Sequence, residues 1–236
     1  MRIIKPFDPW QGKWCSCPAK YTLNPYTGCA HRCLYCYTTS FIPRAFEVRE
    51  KPGILKKVEK DLEEIDSSRY LSLSNSSDPY PPEEEKRGLT RAILNLCREK
   101  GLSVLILTKS TLVTRDIDIL KTMKAAVSIT VTTFNSSIAS VLEGGAPSPQ
   151  KRAQALIELH EAGIPTILRI DPLIAGINDK PEEWKEILSL LSPYVNQVVV
   201  STFKPRPDSW KRITTTFPSL QKTKDWYTKK IGNSIY

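Results

Sequence analysis

The chain has 236 residues, 40% of them apolar, and its 34 lysines and arginines against 25 aspartates and glutamates give a net charge of +9. That apolar share supports a real core and excludes a disordered or low-complexity protein, while the basic surplus suits a polyanionic partner. No run approaches the ~18 consecutive apolar residues of a membrane span, and the opening "MRIIKPFDPWQGKW" lacks the apolar run and cleavage site of a secretory leader. No membrane association and a cytoplasmic location are therefore expected.

In chain order, "KYTLNP" reads as a first strand and leads into "NPYTGCAHRCLYCYTTSF", where Cys29, Cys33 and Cys36 fall within eight residues. "RYLSLS" (69–74) is a short buried strand followed by the polar, proline-rich loop "NSSDPYPPEEE". "KRGLTRAILNLCREKG" then places Leu89, Ile93, Leu94, Leu96 and Cys97 at helical spacing and stops at Gly101. Cys97, on that apolar stripe, is expected in the core.

"LSVLILTKS" predicts a strand that passes into a helix through "TRDIDILKTMKA", and "VSITVTTF" a β-branched strand. "SPQKRAQALIELHEAG" is helical, with an N-terminal Ser-Pro, a terminal Gly163 and His160 on its surface. "IPTILRIDPLI" is a strand, "DKPEEWKEILSLLS" a helix and "NQVVVSTF" a sixth strand. Such alternation implies a parallel sheet covered by helices, either an open doubly wound sheet or an incomplete barrel. Chemistry in both sits at the carboxyl ends of the strands, and the cysteines, "NSSD", "TKS", "TTF" and "RIDP" all fall there.

Three parts are expected: an extension with a C-x-C pair over 1–19, the α/β body over 20–203, and a basic, aromatic segment over 204–236. That last segment reads as a helix and loop packed across the mouth or the open side of the body.

Three thiols in a C-x3-C-x2-C pattern allow three readings. A disulfide is disfavoured in a reducing compartment. A zinc site wants four ligands, with His31, Cys15 or Cys17 as the fourth, but no second paired knuckle follows downstream. That reading makes the chain a non-catalytic zinc-binding protein associated with nucleic acid. A 4Fe–4S cluster held by three thiolates instead leaves one iron open to a reactive ligand, with Tyr35 and Tyr37 as walls of a dry site.

Cys29, Cys33, Tyr35 and Cys36 match C-x3-C-x-aromatic-C, and the stretch resembles the signature of the radical S-adenosylmethionine (SAM) superfamily. The blocks "SDPYPPEE", "LTRAIL", "LTKSTLVTRDIDIL", "EGGAPSPQKR", "EAGIP" and "GIND" are similar to its spore photoproduct lyase-like branch, also labelled DNA repair photolyase, from Lys20 to about Asn178. The resemblance implies a partial (β/α)6 barrel in which Cys29, Cys33 and Cys36 hold the 4Fe–4S cluster. SAM would bind the open iron and be cleaved reductively to a 5′-deoxyadenosyl radical that abstracts hydrogen from substrate. It further implies SAM contacts from Ser76, Ser77, Asp78, Lys109, Thr132, Thr133, Arg169 and Asp171.

An electron donor such as ferredoxin or flavodoxin is implied as well. Together with the charge, the resemblance points to a nucleic-acid substrate, a DNA lesion or a tRNA base. Tyr35 and the upstream Cys15 and Cys17 stand as candidate catalytic residues, the two thiols as hydrogen donors that could reach the same mouth. The photoproduct lyase has a cysteine after the second strand that returns hydrogen to the product radical. Asn75 stands there in this chain, and an amide cannot do so, which argues against thymine-dimer repair by that route. "EGGAP" and "PLIAG" also depart from the branch's "EPxAP" and "PIIPG" near where substrate enters.

Overall fold

Seven strands form one sheet whose spatial order follows chain order in the computed structural model. They are β1 (Lys5–Phe7), β2 (Lys20–Leu23), β3 (Leu71–Leu73), β4 (Val104–Thr108), β5 (Ala125–Thr130), β6 (Thr166–Leu173) and β7 (Gln197–Thr202). β1 pairs antiparallel with β2, and every later neighbour pair is parallel. A doubly wound sheet reverses its order at a switch point, so an unbroken sequence of neighbours decides for an arc of barrel. Residues 2–7 and 18–227 are described in full, with the backbone of 230–231 and 234–235. Cys15 and Cys17 lie outside the described residues.

The helices are α1 (Ile54–Leu62), α2 (Leu89–Glu99), α3 (Ser136–Leu142), α4 (Pro149–Glu161), α5 (Pro181–Leu191) and α6 (Pro207–Thr216), with shorter turns between. Leu71, Leu73, Ile106, Val127 and Leu168 of the strands pack with Ile93, Leu94 and Cys97 of α2 and Leu156 and Leu159 of α4. Each such Leu or Ile contributes about 1.5–3 kcal/mol by leaving water. Cys97 is a core residue, as its place on the apolar stripe predicts. Among the described residues no helix is long and apolar enough to cross a membrane.

The helix expected through "TRDIDILKTMKA" is instead a 3-10 turn, Thr111–Asp116, followed by one α turn, Ile117–Leu120. Asp116 draws the chain inward there: fully buried, it accepts from Tyr80 Oη, Arg91 Nη1 and Arg115 Nε. α1 goes beyond the sequence reading, although Ile54, Val58 and Leu62 mark its buried face at steps of four. β1 is three residues long with Pro6 at the sheet edge, too short to show a period.

A second, smaller apolar cluster lies over the sheet. Leu142, Ile174, Ile177, Phe203, Ile213 and Leu220 form it, with Leu34, Tyr35, Trp210 and Tyr227 packed against it. The C-terminal segment thus packs directly on the cysteine loop through α6.

Candidate functional site

The cysteine loop begins one residue after β2, and its backbone path depends on two glycines. Gly28 has φ +80°, and a Cβ there would lie 2.0 Å from the Glu47 carbonyl oxygen. Gly145, far along the chain, approaches so closely that its Cβ would lie 2.0 Å from Ala30 O. Among the described residues Arg32, Arg44 and Ser74 are the non-glycine residues with positive φ; two are in this loop and the third directly follows the neighbouring β3. Left-handed backbone on ordinary residues costs energy, and its concentration here marks a segment shaped by something other than propensity.

Cys29, Cys33 and Cys36 are all unpaired thiols, Cys33 buried and the others half-buried. Burial pushes Cys29 up to about 12, aided by the nearby Asp78 charge. Burial likewise pushes Cys33 up to about 12, with the Lys109 ammonium acting against it. Thiols of this kind ionise when a cation is close enough to offset their desolvation.

His31, between the first two thiols, is turned inward. Its Nε2 lies 2.9 Å from Asp78 Oδ2, without hydrogen-bond geometry, and its Nδ1 3.2 Å from the Gly145 carbonyl oxygen. Asp78 also accepts from the Tyr80 and Lys109 amides at 2.9 and 2.8 Å and from Thr108 Oγ1 at 2.7 Å. Burial opposes its charge, but the His31 pair and these donors outweigh that and hold its carboxyl below the usual range.

Beneath Cys33 sits Glu143, fully buried. It accepts from the Tyr35 phenol, from Thr132 Oγ1 at 3.1 Å and from the buried Arg152 guanidinium at 2.6 Å, with Lys109 Nζ at 4.0 Å. Lys109 also lies 5.5 Å from the Tyr35 ring centre. Burial raises the Tyr35 phenol well above its ordinary value, and the charges at Cys33 and Glu143 add to that. Burial works against the Lys109 charge, yet the Cys33 and Glu143 charges hold it above its ordinary value.

The other predicted residues take different places. Ser76 and Ser77 are half-buried after β3, the Ser76 amide donating to Asn24 Oδ1 at 3.0 Å and the Ser77 hydroxyl to Tyr26 O at 3.0 Å. Thr133 is turned to Glu183 at 3.2 Å and accepts from the Asn135 amide, so it sits in the turn that starts α3. Arg169 and Asp171, both half-buried on β6, pair at 2.7 Å. Asn75 ties its amide to Thr22 Oγ1 at 2.6 Å and accepts from Ser72 Oγ at 3.3 Å, while its carbonyl accepts from Tyr37 Oη at 2.7 Å. Tyr37 is 46% exposed and Phe41 59%, with ring centres 5.8 Å apart.

Two contributions escape the sequence reading. Glu143 and Arg152 are legible only as letters of the "EGGAPSPQKR" block, since nothing local announces a pair nine residues apart across a turn. Arg212 of α6 donates to Cys36 O at 2.8 Å, Leu34 O at 3.2 Å and Thr39 Oγ1 at 3.0 Å, and Asp208 accepts from Ser40 Oγ at 2.6 Å. The C-terminal helix therefore holds the third cysteine's backbone directly.

A barrel arc with three thiols on the loop after its first parallel strand defines a scaffold of the radical SAM type. The sequence model of the Radical SAM superfamily matches residues 23–191, and the chain belongs to that superfamily, whose members are enzymes that use a 4Fe–4S cluster and SAM. An uncharacterized protein of Methanocaldococcus jannaschii is 35% identical over 167 residues, 68% of this chain and 63% of that one, so the chain spans less than two thirds of that relative.

A spore photoproduct lyase double mutant with bound AdoMet and dinucleoside spore photoproduct superposes with TM-score 0.68 at 18% identity, covering 94% of this chain and 70% of that one. Streptococcus suis SuiB bound to S-adenosylmethionine gives 0.62 at 15%, covering 86% and 48%. These likenesses establish the fold, a partial (β/α)6 barrel.

The donor set fits the family's cofactors. Three free thiols share one loop, and a 4Fe–4S cubane is held by one thiolate per iron. His31, one of the fourth ligands weighed for zinc, faces Asp78 and Gly145, while Cys15 and Cys17, the others, lie outside the described residues. Ser74 Oγ at the end of β3 and Arg169 Nε on β6 are buried polar atoms without a protein partner, as donors kept for a polar ligand would be.

Proposed function

We propose that the protein is a radical SAM enzyme acting on nucleic acid, with Cys29, Cys33 and Cys36 as the cluster ligands. The observation that carries the reading is the three-thiol loop seated beside the buried Glu143 and its half-buried neighbours Lys109 and Tyr35. When bound, the cluster and SAM supply a reductive cleavage that generates a hydrogen-abstracting 5′-deoxyadenosyl radical.

The chain's own residues bind and orient. Lys109 offers a positive charge beside Cys33 that suits a ligand carboxylate, and Arg169 offers a buried N–H. Ser76, Ser77, Asp78, Thr132, Thr133 and Asp171 shape the strand ends around them. Asp78 does so by fixing His31 and the Lys109 amide, and Thr132 by holding Glu143. Tyr35 keeps its phenol protonated and aimed at Glu143, so its O–H is oriented next to the thiols. Asn75 carries no thiol, which leaves Tyr35, Cys15 and Cys17 as the groups with a readily abstracted hydrogen.

The nucleic-acid part rests on the outer face. The exposed Tyr37 and Phe41 rings stand on a loop that also exposes Arg32 and Arg44, in a chain of net charge +9. Aromatic faces flanked by arginines stack bases and hold phosphates. Salt-dependent binding of single-stranded DNA and tRNA tests this: affinity must fall steeply as salt rises, and no binding at low salt contradicts it.

A further inference from the structure

The segment from Leu142 to Gly145 touches the cysteine loop through four contacts made by three of its residues. The Leu34 amide donates to Leu142 O at 2.8 Å, and the Tyr35 phenol donates to Glu143. The Gly145 amide donates to His31 O at 2.9 Å, and Gly145 O faces His31 Nδ1 at 3.2 Å. Gly145 lies so close to Ala30 that no other residue fits without a shift of backbone. This segment is itself fixed from behind: Arg152 of α4 donates to Glu143 Oε2 at 2.6 Å and to the Thr130 carbonyl of β5 at 2.8 Å.

We infer that Leu142–Gly145 is a clamp that sets the height of the cysteine loop over the barrel, with Glu143 as the positioning residue joining Tyr35 and Lys109 to it. The physical case is one of charge. Arg152 is fully buried, and Glu143 is the carboxylate that offsets it. The same carboxylate attracts the Lys109 ammonium, which Arg152 repels. Remove the negative charge and two cations face each other across the gap, so Lys109 leaves its place beside Cys33 and Tyr35 loses its acceptor. Through one buried carboxylate, the position of the loop and the position of the cation beside it become a single variable.

The inference rests on the radical SAM reading only for its ligand; the clamp itself is a property of the polypeptide. Hydrogen exchange on the cluster-free protein therefore tests it first, with Glu143→Gln and Gly145→Ala as variants. The Leu34 and Gly145 amides are expected to exchange at least tenfold faster in both variants, while sheet amides such as that of Val127 keep their protection. Uniform loss of protection across the sheet would show that Glu143 serves stability alone, and wild-type rates at Leu34 would overturn the clamp.

Reconstituted protein gives the second readout: Glu143→Gln should retain its iron while SAM binding, followed by the cluster spectrum, weakens about tenfold. Unchanged SAM affinity in Glu143→Gln overturns the Lys109 half of the inference. A wild-type protein that takes up no cluster contradicts the functional reading instead, and leaves the exchange result standing. Should Gly145→Ala fail to fold, Glu143→Gln decides alone.

Discussion

The two faces of the cysteine loop are built on opposite terms. On the inner face Glu143, Arg152, Asp78 and His31 are almost wholly buried, with Glu143 2.6 Å from Arg152 and Asp78 2.9 Å from His31. On the outer face Tyr37 and Phe41 are about half exposed, and the Tyr37 hydroxyl rests on the Asn75 backbone. Buried pairs are costly to break because the survivor keeps its desolvation penalty, whereas exposed aromatics cost little to leave open. The inner face is thus suited to one fixed ligand geometry, and the outer face to a partner that comes and goes.

Changes on the inner face should have the larger effects. Cys33→Ala is expected to lose the reconstituted cluster altogether, with 5′-deoxyadenosine formation at background, measured by iron content and product analysis. Cys97→Ala, in the core, should keep both and lose only stability. Glu143→Ala should cost about 3–5 kcal/mol in urea unfolding, because it strands the buried Arg152. A loss below about 1 kcal/mol would mean that water or another acceptor replaces the carboxylate, and the contrast between faces would weaken.

Acid should act through the same groups. The folded carboxyls of Asp78 and Glu143 lie below their ordinary values. Their contribution is therefore complete above the unfolded carboxyl range and is lost as pH falls through the folded values. Thermal midpoints followed downward from neutral pH should decline once the ordinary carboxylate range is entered, and less steeply in Glu143→Gln.

Smaller effects are expected further out. Arg212→Ala removes charged donors from Cys36 O and Leu34 O and should cost about 1.5–3 kcal/mol, with faster loss of iron to a chelator. Phe41→Ala should change stability by no more than about 0.5 kcal/mol. Stacking is worth about 1–3 kcal/mol per base, so single-strand affinity should drop about tenfold. Unchanged affinity in Phe41→Ala would move the nucleic-acid surface elsewhere.

The parts legible in the sequence are those with a local signal. Alternating strands and helices gave the sheet, and C-x3-C-x2-C gave the thiols, because period and spacing are written in neighbouring residues. The order of the strands separates a barrel from a doubly wound sheet and has no local signature, so periodicity left both open, and only the family resemblance pointed to the partial barrel that the topology shows. "SDPYPPEE" and "TRD" look like functional blocks, yet much of their content is structural. Glu84, buried, accepts from Tyr26 Oη, the Thr90 amide and Arg115, and Asp116 from Arg91 and Tyr80. Asp78 stood out as a polar residue at a strand end, but its partner is His31, 47 positions earlier. Glu143–Arg152 and Arg212–Cys36 are likewise pairings that only the fold brings about.

The central claim is that three thiols, not four, hold a cluster with one iron open to SAM. Its most direct test is anaerobic reconstitution with iron and sulfide, reduction with dithionite, and addition of SAM. The predicted result is a coloured iron–sulfur protein that releases 5′-deoxyadenosine in the wild type and none in Cys29→Ala. A colourless protein that carries zinc and releases no 5′-deoxyadenosine, or equal release from wild type and Cys29→Ala, would contradict it.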